Sequence, residues 1–162
     1  MPYLLDSTAL IDAKRRWYGL DFCPGYWDWL STAHGAGLVF SIERVEDEVR
    51  AGDDELVEWI DQLGGGFFLR PDTDVVRSLS EVSTWASSGE FKPSAVSTFL
   101  GIADSLLVAH AHAHGFTVVT QEVPRNQIAN IKIPNACIAM GVKYVNTFEM
   151  LRNERARFVL PS

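Results

Sequence analysis

The stretch that decides the fold is "YLLDSTALID", residues 3–12. Tyr3, Leu4 and Leu5 form a short apolar run, Asp6 interrupts it, Ser7 and Thr8 follow, and apolar residues resume at Ala9, Leu10 and Ile11. A core strand over residues 3–5 thus hands over to a helix that runs from about 8 to 17. Two roles suit the carboxylate at the handover. Asp, Ser and Thr all make good N-caps, because each accepts hydrogen bonds from the free N–H groups of a first helical turn. A catalytic carboxylate at the mouth of a parallel sheet occupies the same kind of position, and the local sequence leaves both open.

Working outward, strands and helices alternate along the whole chain. Pro24-Gly25 breaks the chain after the first helix, and a short aromatic helix reaches about Ala33. "GLVFS" is a strand, and "IERVEDEV" is a helix with Ile42, Val45 and Val49 on one face. Leu56, Trp59, Ile60 and Leu63 repeat that spacing in a helix that Gly64-Gly65-Gly66 ends. "FFLRP" is a short strand, "DTDVVRSLSEVSTWA" a helix with an Asp cap, and "SSGEFKPS" a polar loop. "ADSLLVAHAHAHG" is a helix closed by Gly115, and "FTVVT" a strand rich in β-branched residues. Residues 121–134 lack periodicity and read as loop, and "KYVNTFEMLRN" is a last strand and helix. This pattern predicts an α/β, three-layer sandwich with a central, mostly parallel sheet. The chain contains no linker or repeat, so the expectation is one domain over residues 1–162.

Composition narrows the class. The 162 residues are 47% hydrophobic and 22% charged, ordinary for a globular protein with a sizeable core. No apolar run approaches the roughly 20 residues needed to cross a bilayer. The N-terminus does not read as a secretory signal, and Cys23 and Cys137 form no CxxC pair, so a reducing cytoplasm is expected. A formal net charge of −7 argues mildly against a nucleic-acid binder. Local basic patches offset that argument, at Lys14, Arg15 and Arg16 and at Arg125 with Lys132.

Four acids stand where such a sheet binds ligands, beyond the carboxyl ends of its strands. Asp6 follows the first strand and Glu122 follows "FTVVT"; Asp104 opens the helix before that strand, and Glu48 lies seven residues past Ser41. Neighbouring carboxylates raise one another's pKa, and a cation relieves the repulsion. All-oxygen ligation suits Mg2+ or Mn2+ better than Zn2+. Such ions polarise a phosphoryl oxygen and activate water, the chemistry of phosphodiester hydrolysis.

"YLLDSTALID", "SIERVEDEV", "IADSLLVAHAHAHG" and "FTVVTQE", in this order, resemble a PIN-domain protein across nearly the whole chain. "AKRRWYGLDFCPGYWDWL" and "TQEVP" resemble a prokaryotic PIN-like subfamily. The resemblance implies a Mg2+- or Mn2+-dependent ribonuclease, in many prokaryotic members a VapC-type toxin inhibited by an antitoxin protein, with a homodimer possible and no membrane. By the same resemblance Asp6, Glu48, Asp104 and Glu122 are the metal-binding catalytic acids. Thr8 helps to hold Asp6, and Thr120 is the threonine of the last motif. Thr8 stands where the family usually has Asn or Ser, and Glu122 where it more often has Asp. Those departures motivate an alternative, a non-catalytic PIN-like module that binds RNA or protein; a DNA-directed nuclease shares the chemistry.

Other readings of the same residues stay open. Glu46 rivals Glu48, Asp104 could simply cap its helix, and Glu122 could be a solvated loop acid. His110 and His114 share a helix face, yet no HExxH pattern surrounds them, so no metal is expected on the histidines. Phe22, Tyr26, Trp27 and Trp29 read as core or a partner surface. Beside them, Lys14, Arg15, Arg16 and Trp17 could hold phosphate and stack on bases, and Arg125 is a further candidate for substrate binding.

Overall fold

The computed structural model describes residues 2–52 and 54–161, so Met1 and Ser162, the ends of the expected domain, lie outside the described residues. Five strands form one sheet: β1 (Tyr3–Leu5), β2 (Val39–Ile42), β3 (Phe68–Leu69), β4 (Thr117–Val119) and β5 (Tyr144–Val145). Their spatial order is β3-β2-β1-β4-β5, and every pair is parallel. Central β1 places Leu4 opposite Phe40 on one side and Val118 on the other. Its three residues are all buried, as expected of a strand covered on both faces, which reads as an unbroken apolar run.

The helices are α1 (Ser7–Asp12), α2 (Pro24–Gly35), α3 (Glu43–Gly52), α4 (Asp54–Leu63), α5 (Thr73–Ser88), α6 (Pro93–Gly101), α7 (Ala103–His114), α8 (Ile133–Met140) and α9 (Thr147–Asn153). The expected first helix is interrupted: α1 widens into a π-type turn over Ala13–Trp17. From β1 the chain steps outward to β2 and β3, then returns across the sheet to β4 and β5. Right-handed crossovers in opposite directions place their helices on opposite faces. Accordingly α1 packs on α3 and α3 on α4, while α5, α6 and α8 pack on α7. The result is the expected three-layer sandwich, with β1 and β4 flanking the point where the strand order reverses.

Two helices escape the sequence reading. α6 begins at Pro93 and α8 carries Pro134 in its first turn, inside stretches read as loop. Proline is well suited to a first helical turn, where its missing N–H has no intrahelical partner and its φ is already set. Of the aromatic cluster, Tyr26 and Trp27 are core, Trp29 is half-buried and Phe22 is 71% exposed. The polar ends of the buried pair are satisfied, by Tyr26 Oη donating to the Ala9 carbonyl (3.1 Å) and Trp27 Nε1 to that of Tyr18 (2.6 Å). Among the described residues no single helix is long and apolar enough to cross a membrane; α6 and α7 are so only together, bent by 69°.

α7 buries His110 and exposes His112 and His114. Burial pushes the His110 imidazole down to about 4, the nearby His114 adding to the effect and Asp72 opposing it. An unfolded chain takes up that proton near pH 6.5. Between pH 6.5 and 4 the unfolded state therefore binds a proton that the folded state does not, and stability falls as the pH drops. His110→Leu is expected to lose less melting temperature than wild type between pH 7 and 4.5. Parallel melting curves for the two proteins across that window contradict a buried, neutral His110.

Candidate active site

The site is built on the carboxyl ends of β1 and β4. Asp6 is placed there by the sheet, since its N–H donates to the Val119 carbonyl (3.1 Å). Beside it Ser41 Oγ donates to the Leu5 carbonyl (2.6 Å) and ties the end of β2 to that of β1. Asp6 is only 3% exposed. Its Oδ1 accepts the Thr8 hydroxyl (2.6 Å) and the Ala9 N–H (2.9 Å), so it caps α1 while facing the mouth of the sheet. The capping reading therefore holds, and the residue also occupies the position at the mouth of the sheet that the second reading requires. Burial pushes its carboxyl up to about 6, with Thr120, Thr8 and the Ala9 N–H opposing and the charge of Glu122 adding to the rise.

Glu122 is not a solvated loop acid. Its Oε2 accepts the N–H of Ile133, the first residue of α8, and its own N–H donates to Thr120 Oγ1 (3.1 Å). A carboxylate at a helix N-terminus suits both the free N–H groups and the helix dipole. Asp104 does not cap α7; the cap position is Ile102, and Asp104 lies within the first turn. Its carboxyl is pushed up to about 7, first by burial and then by the charges of Glu122, Asp6 and Glu48, against which Lys132 acts. All four candidate acids thus lie within one electrostatic neighbourhood.

Helix phase separates the two rival glutamates of α3. Residues 46 and 48 point about 200° apart. Glu46 pairs with Arg50 (2.9 Å), which also reaches Asp61 (3.0 Å). Glu48 is exposed, and its charge bears on Asp104, on the side where α3 meets α7. The donor set is entirely carboxylate, the chemistry that hard divalent cations prefer. Among the described residues, however, no three His, Cys, Asp or Glu groups stand close enough to hold one ion. The acids form a repulsive neighbourhood rather than a closed coordination cage.

The candidate basic residues are dispersed. Lys14 faces Glu55 at 3.9 Å. Arg15 and Arg16 are exposed on the π-type turn, roughly 13 Å along the α1 axis from Asp6. Arg125 lies exposed on the loop after Glu122, its N–H donating to Asn135 Oδ1 (3.0 Å). Lys132, which the sequence offers with Arg125 as a basic patch, is the basic residue whose charge reaches Asp104. Cys137 is buried beside the same acids, and burial, Glu122 and Asp6 push its thiol up to about 12. His112 and His114 lie at the far end of α7, against Ser78 (2.8 Å) and Asp72 (2.7 Å).

A carboxyl whose folded pKa is raised favours the folded state below the unfolded value near 3.8, and that advantage is lost as pH rises through about 7. Asp104→Asn is therefore expected to melt at or above wild type at pH 7.5. It should also gain less than wild type when the pH is lowered to 5.5. An equal gain in both proteins means that Asp104 is not held in a repulsive site.

No curated protein matches the chain. Among solved structures, FitAcB from Neisseria gonorrhoeae matches with a TM-score of 0.58 at 20% identity, over 90% of this chain and 98% of that one. A likeness at this identity speaks for the fold, and the fold is PIN-like: an all-parallel five-stranded sheet flanked by helices. The profile of a domain of unknown function, DUF4411, matches residues 3–158. That match spans nearly the whole length, and the chain belongs to the DUF4411 family.

Proposed function

We propose that the protein is a Mg2+- or Mn2+-dependent endoribonuclease that hydrolyses RNA phosphodiester bonds, the toxin of a type II toxin–antitoxin module restrained by a cognate antitoxin protein. One observation carries the reading: Asp104 carries the combined repulsion of Glu122, Asp6 and Glu48 at the point where the strand order reverses. Like charges confined in this way cost stability unless a cation offsets them, and structural needs alone do not ask for four. The likeness of fold to FitAcB and the ordered PIN-type motifs of the sequence agree with it.

Asp6, Glu48, Asp104 and Glu122 would have to draw closer together to hold the ion, which when bound would polarise a phosphoryl oxygen and lower the pKa of water. The chain's own part is placement. Thr8, Thr120 and the Ala9 N–H fix the Asp6 carboxylate in one orientation. Ile133 N–H fixes Glu122, and Thr120 ties the backbone of residue 122 to the same cluster. Glu48 is exposed and is the member freest to rotate. Water would add to phosphorus and give up a proton, the bond from phosphorus to the leaving sugar oxygen would break, and that oxygen would take up a proton in its place.

A second reading, a non-catalytic PIN-like module that binds RNA or protein, has its own support. Lys132 already sets a positive charge against Asp104, and no three of the described acids close on an ion. The two readings separate on cleavage of RNA and of DNA with Mg2+, Mn2+ or chelator. Asp6→Asn should abolish metal-dependent RNA cleavage in a folded protein, and normal cleavage by that variant removes Asp6 from the mechanism. Glu48→Ala should lose activity while Glu46→Ala keeps it, and the reverse result shifts the register by two residues. With the divalent ion at about ten times its dissociation constant, wild type should gain roughly 1.4 kcal/mol. That corresponds to roughly 3–5 °C in melting temperature, and no shift with either ion favours the second reading.

A further inference from the structure

Arginine placement is uneven in this acidic chain. Among the described residues, ion pairs engage Lys14, Arg50, Arg70 and Arg77. Arg15, Arg16, Arg152, Arg155 and Arg157 form none, and all five are exposed. Arg152 lies beside Tyr18 where the π-type turn meets α9 and the chain after it, and the other four are close sequence neighbours of the residues that meet there. Trp17 meets Phe148 edge to face at 5.4 Å, and Tyr18 meets Phe158 at 5.8 Å. The carboxylates of α9 and its end are engaged elsewhere: Glu149 accepts the Asn146 N–H, and Glu154 accepts the Tyr3 hydroxyl (2.8 Å). Both keep their charge in these bonds to neutral donors, so with Asp12 and Asp21 four acids stand against five arginines in these segments.

Between these segments lies a cavity of about 180 Å³ with walls of Tyr18, Phe148, Leu151, Ala156 and Phe158 and with Arg152 at its lining. Phe158 stays 37% exposed. The walls are fixed. The Ala156 N–H donates to the Leu151 carbonyl (2.9 Å), closing the helix end. Arg155 holds a φ of 56°, the left-handed region that a glycine would ordinarily fill at a helix end. One aromatic layer joins the cavity to the acid cluster. Tyr18 stacks on Tyr26 (4.4 Å, 8°), whose hydroxyl bonds the Ala9 carbonyl in the turn that Asp6 caps.

We propose that this cavity takes an unpaired base of single-stranded RNA, stacked on one of its phenylalanines and packed edge-on against the other rings, while Arg15, Arg16, Arg152 and Arg155 bind the adjoining phosphates. Aromatic faces beside arginines suit single strands, because every unpaired base offers a π-face and a duplex does not. The proposal rests on the nuclease reading and deepens it: the substrate is unpaired on at least one side of the cleaved bond.

The test is the binding of a fluorescein-labelled RNA of about twelve nucleotides, a usual single-strand length, followed by anisotropy in chelator, with the same sequence as a duplex for comparison. Wild type should prefer the single strand at least tenfold. Arg16→Ala combined with Arg152→Ala should weaken binding about tenfold and reduce the salt slope by about 1.4, or 0.7 for each phosphate no longer neutralised. Phe158→Ala should weaken binding without changing the slope, and Arg77→Ala should bind as wild type. Arg155→Gly relieves a left-handed arginine, so it should melt higher than wild type and still bind RNA more weakly; a purely structural role predicts the first effect without the second. Unchanged affinity in these variants, or a duplex bound as tightly as the single strand, overturns the proposal. So does a wild-type dimer in sedimentation that Phe158→Ala dissociates, which assigns the face to protein. If wild type binds through this face but cleaves nothing with Mg2+ or Mn2+, the nuclease reading fails and this one stands. If it cleaves and the arginine variants bind normally, the reverse holds.

Discussion

Asp6 is a carboxylate at the mouth of a buried parallel sheet, and much of the molecule is arranged around its tolerance there. An ionised carboxyl removed from water is expensive unless hydrogen bonds satisfy it. Here the start of α1 does so, through the Ala9 N–H and the Thr8 hydroxyl, while the Asp6 N–H continues the β1–β4 ladder. Strand, helix and acid are therefore one local unit, and moving the carboxylate would uncap the helix. Glu122 repeats the arrangement across the seam, one of its oxygens on the first N–H of α8. Each acid uses an identified oxygen for the fold, Oδ1 in Asp6 and Oε2 in Glu122, which leaves the other oxygen for the proposed chemistry.

Topology explains why these acids meet. Crossovers leave β1 toward β2 on one face and arrive at β4 from the other, so the helices that follow β1 and β4 diverge and open a crevice. Acids placed immediately after those two strands face it without any special loop. Asp104 and Glu48 reach the same crevice from the first turn of α7 and from α3, which meet over the carboxyl edge. Repulsion then follows from placement, and it explains why burial alone does not account for the raised carboxyl of Asp104.

Much of this was legible in the sequence because the signals are local. Leu4 is covered on both faces and sits in an unbroken apolar run; Gly115 closes α7 in the left-handed conformation. The missing parts have physical reasons. Pro93 and Pro134 fall in stretches read as loop from polarity and missing periodicity, whereas each stands in the first turn of a helix. Glu46 and Glu48 cannot be ordered by spacing alone; the Arg50 and Asp61 network on the other side of α3 decides their directions. Lys132 comes from a loop without periodicity, so its reach to Asp104 is a property of the folded chain alone. The surface formed by the π-type turn and the end of α9 joins residues more than 130 positions apart, such as Trp17 and Phe148, and no sequence window contains it.

Net charge misleads about partners when it is concentrated. The chain has 21 acids and 14 lysines and arginines, a balance of −7. Setting aside the four clustered acids leaves 17 against 14, or −3 over the rest of the molecule. Within that remainder the ion-paired cations are neutralised by neighbouring acids, as Arg50 is by Glu46 and Asp61 and Arg70 by Glu43. Of the arginines outside those pairs, Arg152 lines the half-exposed aromatic cavity, and Arg15, Arg16, Arg155 and Arg157 flank its walls in sequence. Potential near a surface is set by charges within about a Debye length, roughly 8–10 Å at ordinary ionic strength. On the proposed reading, a polyanion would meet those arginines first and the acid cluster only after it had bound, and a cation held by the acids would lower the remaining barrier. An acidic total and an anionic substrate are compatible when the two charges are separated in this order along the path.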